Sequence, residues 1–292
     1  MAAPLTFSEY PFLARLGLTE SNAGCFDGAS WSASGAEVTT VCPSTGKPVA
    51  VTKQGTLEDL ERCVTNMTAA QKVWAAVPAP KRGDIVRQIG NKLREHVNDL
   101  GAVISLEMGK VRSEGVGEVV ETIDVCDLAC GLGRTMSGQI IPSERADHVI
   151  FETWRPVGLQ GSGVAVLTAF NFPNAVLGWN AAIALVTGNC VLWKGAPTAN
   201  LISIATARIF QDVLEANGLP AGIFTLIQGD GPTVGAKIVA DKRFPLISFT
   251  GSSRVGALVA AEVAKDVGRT HLLELSGNNA SVVMPDADLD MA

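Results

Sequence analysis

A few residues of this 292-residue chain stand where their chemistry would be useful. Asn171 follows an apolar run of strand type, Val164 to Ala169. In open α/β sheets ligands bind outside the carboxyl ends of the strands, so the amide is placed either to face a ligand or to cap the helix after Pro173. Glu274 lies in the apolar stretch His271-Leu272-Leu273-Glu274-Leu275. A carboxylate there is costly unless paired or used, and burial would raise its pKa toward the range of a general base. The alternative is a paired structural glutamate. Lys194 ends a second apolar run, as the first solvated residue or as a donor to a ligand hydroxyl such as that of a ribose. Phe249-Thr250-Gly251-Ser252-Ser253-Arg254-Val255-Gly256 reads as a strand, a Gly-Ser corner and a helix start, with Gly229-Asp230-Gly231 a similar corner one unit earlier. Such corners admit close backbone approach and offer free N–H groups to a phosphate, or are simply tight turns. Neither is a G-x-G-x-x-G or a Walker loop.

The elements that must position these residues follow from periodicity. Residues 1–35 read as loop. Ala36 to Val51 alternates like a hairpin turning at Pro43-Ser44-Thr45-Gly46. Thr56, with Asp59 three residues on, opens a helix toward Trp74. After Pro78-Ala79-Pro80, helical spacing covers Lys81 to Glu95, then Asn98 to Met108, stopped by Gly109, then Gly115 to Met136. The last carries a broad apolar face of Val116, Val119, Val120, Ile123, Cys126, Ala129 and Cys130. Glu118 and Glu121 lie on or beside it, more in the manner of solvated carboxylates than of functional ones. Gln139 to Arg155 reads as two short strands about Arg145-Ala146-Asp147, a hairpin of the kind used for subunit pairing.

From Gly163 strands and helices alternate: Val164–Ala169, Asn174–Thr187, Cys190–Trp193, Leu201–Ala216, Phe224–Ile227, Thr233–Ala240, Leu246–Thr250, Val255–Val267, Leu272–Leu275, and a final strand Ser281–Met284. Units of this length predict an α/β fold with a parallel, doubly wound sheet. No charge occurs between Arg155 and Lys194, but Pro173 and four asparagines interrupt that run, which favours a buried core over a membrane span.

With 47% hydrophobic and 18% charged residues the chain is globular. Its net charge of −6, without a basic block, argues against nucleic-acid binding. Six scattered cysteines and three distant histidines lack metal-ligand spacing, so no metal is expected and the cysteines read as free thiols in a reducing compartment. The N-terminus shows no secretory pattern. A cytoplasmic location is expected, with a short mitochondrial address as the other reading.

Together these motifs resemble the aldehyde dehydrogenase superfamily over nearly the whole chain. The resemblance rests on Pro43-Ser44-Thr45-Gly46, Glu107-Met108-Gly109-Lys110, Thr168-Ala169-Phe170-Asn171-Phe172-Pro173, Phe249-Thr250-Gly251-Ser252 and Glu274-Leu275-Ser276-Gly277. Finer features are similar to the antiquitin subfamily, the α-aminoadipic semialdehyde dehydrogenases: Ile141-Pro142-Ser143-Glu144-Arg145, Gly178-Trp179-Asn180, Trp193-Lys194-Gly195-Ala196-Pro197-Thr198 and Gly277-Asn278-Asn279-Ala280.

The resemblance implies an NAD-dependent oxidation of an aldehyde, α-aminoadipic semialdehyde in lysine catabolism, to a carboxylic acid. A cysteine thiolate attacks the aldehyde, the Asn171 amide stabilises the oxyanion, hydride leaves to the nicotinamide, and Glu274 activates the hydrolytic water. It further implies a cofactor site built from Thr168, Ala169, Phe170, Lys194, Gly195, Ala196, Gly231, Phe249, Thr250, Gly251, Ser252, Val255 and Leu275. Glu121 would meet the substrate's amino group, and Phe172 and Trp179 would line the aldehyde channel. Residues 1–137 would form the helical part of the cofactor domain, 138–157 an oligomerisation hairpin serving a homo-oligomer, and 158–292 the Rossmann-type part.

The chain departs from the family pattern in several ways. It ends before the position of the family's catalytic cysteine and before most of the catalytic domain. The segment by itself is therefore expected to be inactive, and the other reading is a non-catalytic remnant that binds a dinucleotide or pairs with a subunit. Ser276 stands where a glycine is usual, and Gln160-Gly161-Ser162-Gly163 reads as an insertion able to distort entry to the first strand. Pro197 stands where many relatives carry an acid, so NAD over NADP rests on the subfamily resemblance alone.

Overall fold

The computed structural model describes residues 4–291. Within the described part of 1–35, the loop reading is corrected. A short helix α1 (Pro11–Arg15) opens on a proline, and two strands follow, β1 (Ser21–Ala23) and β2 (Cys25–Phe26). Strands of two or three residues are too short to show alternation. The hairpin expected next is present as β3 (Glu37–Val41) and β4 (Pro48–Lys53), antiparallel, with β1 added in parallel on the far side of β4.

Four helices come next: α2 (Leu57–Ala76), α3 (Ala79–Glu95), α4 (Val97–Met108) and α5 (Arg112–Thr135). Thr56 and Asp59 form the reciprocal cap at the start of α2. The Asp59 N–H donates to Thr56 Oγ1 at 3.3 Å and the Thr56 N–H to Asp59 Oδ2 at 2.8 Å. Gly109, left-handed at φ 73°, ends α4. Helices α3 and α5 approach closely because Gly83 and Gly90 lack side chains; a Cβ at Gly90 would lie 2.9 Å from Cβ of Cys126. On α5, Val119, Ile123, Cys126 and Ala129 are buried as expected, whereas Val120 is exposed. Glu118 reverses its expectation: this carboxylate is buried.

An exposed hairpin, β5 (Ile140–Pro142) and β6 (Val149–Phe151), leaves the helical body and turns through Asp147 at φ 59°. The chain then passes a short turn at Val157–Gln160. There Ser162 donates its N–H to the Arg243 carbonyl at 2.7 Å, and the next strand enters in regular register with both neighbours. The stretch Gln160–Gly163 therefore does not distort it.

The alternating part comprises β7 (Val164–Leu167), α6 (Ala175–Val186), β8 (Val191–Lys194), α7 (Asn200–Ala216), β9 (Phe224–Ile227), α8 (Ala236–Ala240), β10 (Leu246–Thr250), α9 (Ser253–Val263) and β11 (Thr270–Glu274). Three expectations are corrected. The helix read over Thr233–Ala240 begins as a wide turn, Gly231–Gly235, and only its last five residues are α-helical. Helix α9 stops at Val263, because Lys265 and Asp266 break the apolar period and Val267 is fully exposed. Ser281–Met284 is not a strand: it is exposed and pairs with nothing, and alternation cannot supply a neighbour.

Six strands form one sheet in the order β11-β10-β7-β8-β9-β2, parallel except for β2, which lies antiparallel on β9. The parallel, doubly wound sheet expected from the alternation is thus present, with β2 as an added antiparallel edge. The central strands are buried on both faces, which is why they read as unbroken apolar runs. The chain leaves β7 in one direction through β8 and β9, then returns to β7's other side for β10 and β11. This is the 3-2-1-4-5 order of a dinucleotide-type sheet, and its crevice opens where the order reverses, at the carboxyl ends of β7 and β10.

Candidate functional site

The segment after β7 enters that crevice. Thr168 is buried and held from two sides: its N–H donates to the Lys194 carbonyl at 3.1 Å, and its Oγ1 accepts from Trp193 Nε1 at 3.0 Å. Ala169 is half-buried, and Phe170, Asn171 and Phe172 are exposed. Asn171 is not the cap of α6. Asn174 holds that position, and its N–H donates 2.7 Å to Glu118 Oε1. Of the two roles open to Asn171 in the sequence, facing outward at the strand end is the one its geometry fits.

Lys194 is buried, not the first solvated residue of its strand. Its Nζ donates to the Gly195 carbonyl at 3.1 Å, and its stem lies against Gly235. Burial draws its ammonium down to about 8, with the Asp230 carboxylate pulling the other way. Gly195 is tightly enclosed, since a Cβ there would stand 2.5 Å from Ser203 Oγ and 2.6 Å from Gln228 Nε2. Ala196 is buried beside it, and Gly231 lies open at the wide turn before α8.

The third wall is the corner after β10. Phe249, Thr250 and Gly251 are half-buried, Ser252 is exposed, and Ser252 Oγ caps α9 by accepting the Val255 N–H at 3.3 Å. Gly251 donates its N–H to the Glu274 carbonyl at 3.0 Å, which ties this corner to the end of β11. The Thr250 Oγ1 is buried without a partner. Leu275 lies over Gly256, where a Cβ would come within 2.4 Å of its Cδ2. Glu274 is the main correction at the site. It is exposed, on an edge strand with one neighbour, so the burial invoked from sequence is absent.

Beyond Asn171, Trp179 Nε1 donates to Glu121 Oε1 at 3.1 Å, joining α6 to α5. The Phe172 ring lies under Lys110, whose Nζ is 3.6 Å from its centroid. The structure thus brings Glu121 and Trp179 together, and Phe172 to Lys110. Sequence reasoning gave no role to Lys110, Glu118, Thr122, Asn180 or Gln228. Asn180 accepts from Ser248 Oγ at 2.8 Å and so ties α6 to β10, and Gln228 is buried with both side-chain polar atoms unpaired. The second asparagine of Asn171-Phe172-Pro173-Asn174 was the one available signal for this network.

Of the six cysteines, five are buried and Cys130 is half-buried. Burial pushes the Cys190 thiol well above its ordinary range. Among the described residues no cluster of His, Cys, Asp and Glu is arranged to hold a metal, and no helix is long and apolar enough to cross a membrane.

Comparison with known proteins agrees with this architecture. The sequence model described as "Aldehyde dehydrogenase family" matches residues 31–292. The chain is 53% identical to aldehyde dehydrogenase family 7 member B4 of Arabidopsis thaliana, over 98% of this chain and 55% of that protein. It is 50% identical to alpha-aminoadipic semialdehyde dehydrogenase of Bos taurus, over 97% of this chain and 51% of that protein. It thus spans about half the length of the curated relatives it matches. The fold superposes on betaine aldehyde dehydrogenase of Staphylococcus aureus, solved in complex with NAD+, with a TM-score of 0.83 and 27% identity over 92% of this chain and 53% of that one. Switch-point sheet, crevice motifs and relatives agree: the chain belongs to the aldehyde dehydrogenase family.

Proposed function

We propose that this segment supplies the NAD site and two catalytic side chains for oxidation of an aldehyde to a carboxylic acid, with α-aminoadipic semialdehyde as substrate. The observation that carries the reading is the strand-order reversal at β7 and β10, whose carboxyl ends hold Asn171 and the Gly251-Ser252 corner.

The crevice has the features a dinucleotide needs. Helix α9 begins at the Gly251-Ser252 corner, where its first N–H groups favour a phosphate. Among the described residues Thr250 Oγ1 is a buried polar atom with nothing to bond, and the buried Lys194 ammonium donates only to the neighbouring Gly195 carbonyl. Lys194, Gly195 and Ala196 would hold the adenosine ribose. Thr250, Gly251, Ser252 and Val255 would hold the pyrophosphate. Thr168, Ala169, Phe170, Gly231, Phe249 and Leu275 would complete the walls. When bound, NAD would serve as hydride acceptor.

The chain's own chemistry lies at the crevice mouth. The Asn171 amide would donate to the developing oxyanion, and the exposed Glu274 would take a proton from water. Glu121, steadied by Trp179, is suited to meet a substrate ammonium, and Phe172 and Trp179 to flank its aliphatic stem. In this reading residues 1–137 and 158–292 make one cofactor-binding unit. Residues 138–157 project from it as the pairing element of a homo-oligomer, with Ile140, Ile150 and Phe151 exposed.

The burial of the thiols favours a second reading for the segment studied by itself: a dinucleotide-binding unit without turnover. Calorimetric titration of the 292-residue chain with NAD tests the shared part. Saturable binding is expected, and Lys194→Met should weaken it about 10- to 100-fold, the worth of one charge-assisted hydrogen bond. Since the Lys194 ammonium loses its proton near pH 8, wild-type affinity should fall above that pH while the variant stays flat. Absence of NAD binding, or equal affinity in the variant, overturns the assignment. Sustained protein-dependent NADH formation by the isolated segment would remove the second reading.

A further inference from the structure

We propose that Lys110 and Glu118 are positioning residues that fix the Phe170–Pro173 loop and thereby aim the Asn171 amide. The inference rests on the reading of Asn171 as the oxyanion donor.

Glu118 is the hub. Its side chain is 1% exposed, and that of Lys110, on the turn after Gly109, is 16% exposed. Glu118 Oε1 accepts the N–H groups of Asn174 at 2.7 Å and Ala175 at 3.2 Å, the unpaired first donors of α6. A carboxylate suits that position, because a helix N-terminus carries partial positive charge. Glu118 Oε2 accepts from Lys110 Nζ at 2.8 Å. The same ammonium sits 3.6 Å from the centre of the Phe172 ring, a cation–π distance.

The far side of the loop is held just as firmly. Thr122, one turn after Glu118, donates from Oγ1 to Asn174 Oδ1 at 2.7 Å, and Asn174 Nδ2 donates to Thr206 Oγ1 at 2.8 Å. Upstream, Thr168 is pinned between β7 and β8 by its bonds to Lys194 and Trp193. Residue 172 is therefore clamped by Lys110 and residue 174 by Glu118, Thr122 and Thr206. Among the described residues Asn171 makes no side-chain hydrogen bond, so its direction is inherited from these neighbours.

Capping α6 alone does not account for the pair. A neutral acceptor would satisfy the Asn174 N–H, and a buried ion pair is seldom more stabilising than apolar residues of similar volume. What the pair adds is geometric: the cation that neutralises Glu118 also holds the ring beside Asn171. Catalytic donors need this, since a misplacement of about 1 Å costs on the order of a hundredfold in rate.

The test uses isotope-labelled 292-residue chain and nuclear magnetic resonance. It reads backbone order at Asn171, the dispersion of its side-chain amide signals, and amide exchange at Asn174 and Ala175. Lys110→Met should loosen Asn171 and speed exchange at Asn174 about tenfold or more, and Lys110→Arg should restore both. Because Lys110→Met leaves a buried unpaired carboxylate and risks unfolding, the double variant Lys110→Met/Glu118→Gln carries the decision. It keeps a neutral acceptor for the Asn174 N–H. The expected result is a folded chain with Asn174 still protected and Asn171 mobile, a split that a mere cap would not produce. An Asn171 equally ordered in the double variant, already mobile in wild type, or lost with the whole fold in the double variant overturns the proposal. None of these readouts measures turnover, so a failure of Asn171 as oxyanion donor would show separately, in the kinetics of Asn171→Ala.

Discussion

Asn171→Ala, in a full-length enzyme carrying this segment, should lower kcat roughly 100- to 1000-fold, with kcat/KM falling in parallel. The size follows from what the amide would do. A donor aimed at charge that appears only in the transition state contributes little to substrate binding and much to rate. The structure keeps other effects of the change small. Asn171 is exposed and caps nothing, so alanine opens no cavity and frees no buried partner. NAD affinity and thermal stability should therefore stay at wild-type values, which separates this variant from Lys194→Met. Asn171→Asp should be worse than alanine, because it sets a negative charge where another develops. A kcat within about threefold of wild type, set against the magnitude expected for a lost oxyanion donor, would remove Asn171 from catalysis. A drop accompanied by loss of NAD binding would mean the loop had collapsed instead.

The fate of two glutamates shows what the sequence could and could not reveal. Both Glu118 and Glu274 lie among apolar residues, yet Glu118 is buried and Glu274 exposed, the reverse of the expectation for each. Local pattern records which residues are apolar, whereas burial depends on what packs above them. Glu118 faces the start of α6, 56 residues later, a contact no spacing rule anticipates. Glu274 stands on β11, the sheet's edge, with one neighbouring strand and no cover among the described residues. By contrast β7 and β9 lie where alternation of strand and helix set them, since strands buried on both faces carry their own signal. The capping box at Thr56 and the stop at Gly109 were equally legible, because their partners lie within a turn. The two-residue β2 was not: its place beside β9 follows from pairing about 200 residues away.

Glu107→Ala is expected to be the most damaging change to the fold, at about 3 to 5 kcal/mol near pH 5. The carboxyl group of Glu107 is buried at the start of α7. Its Oε1 accepts the Leu201 N–H and its Oε2 the Ile202 N–H, both at 2.8 Å, with Thr40 Oγ1 donating at 3.4 Å. Alanine would leave two buried helix-terminal N–H groups without their acceptor. Burial pushes the carboxyl from 4.5 up to about 7, against the pull of those same donors. The sign of the pH dependence follows. Between about pH 4.5 and 7 the folded chain holds a proton that the unfolded chain has released, so this group's contribution to stability declines as pH rises through that window and is constant beyond it. Urea unfolding of wild type and variant from about pH 5 to 8 should show a gap that narrows by up to roughly 3 kcal/mol. A gap that widens with pH would mean that the two N–H donors outweigh burial and that Glu107 caps α7 as an ion. Equal stabilities at every pH would mean that α7 finds its cap elsewhere, and that Glu107 does not tie α4 to α7.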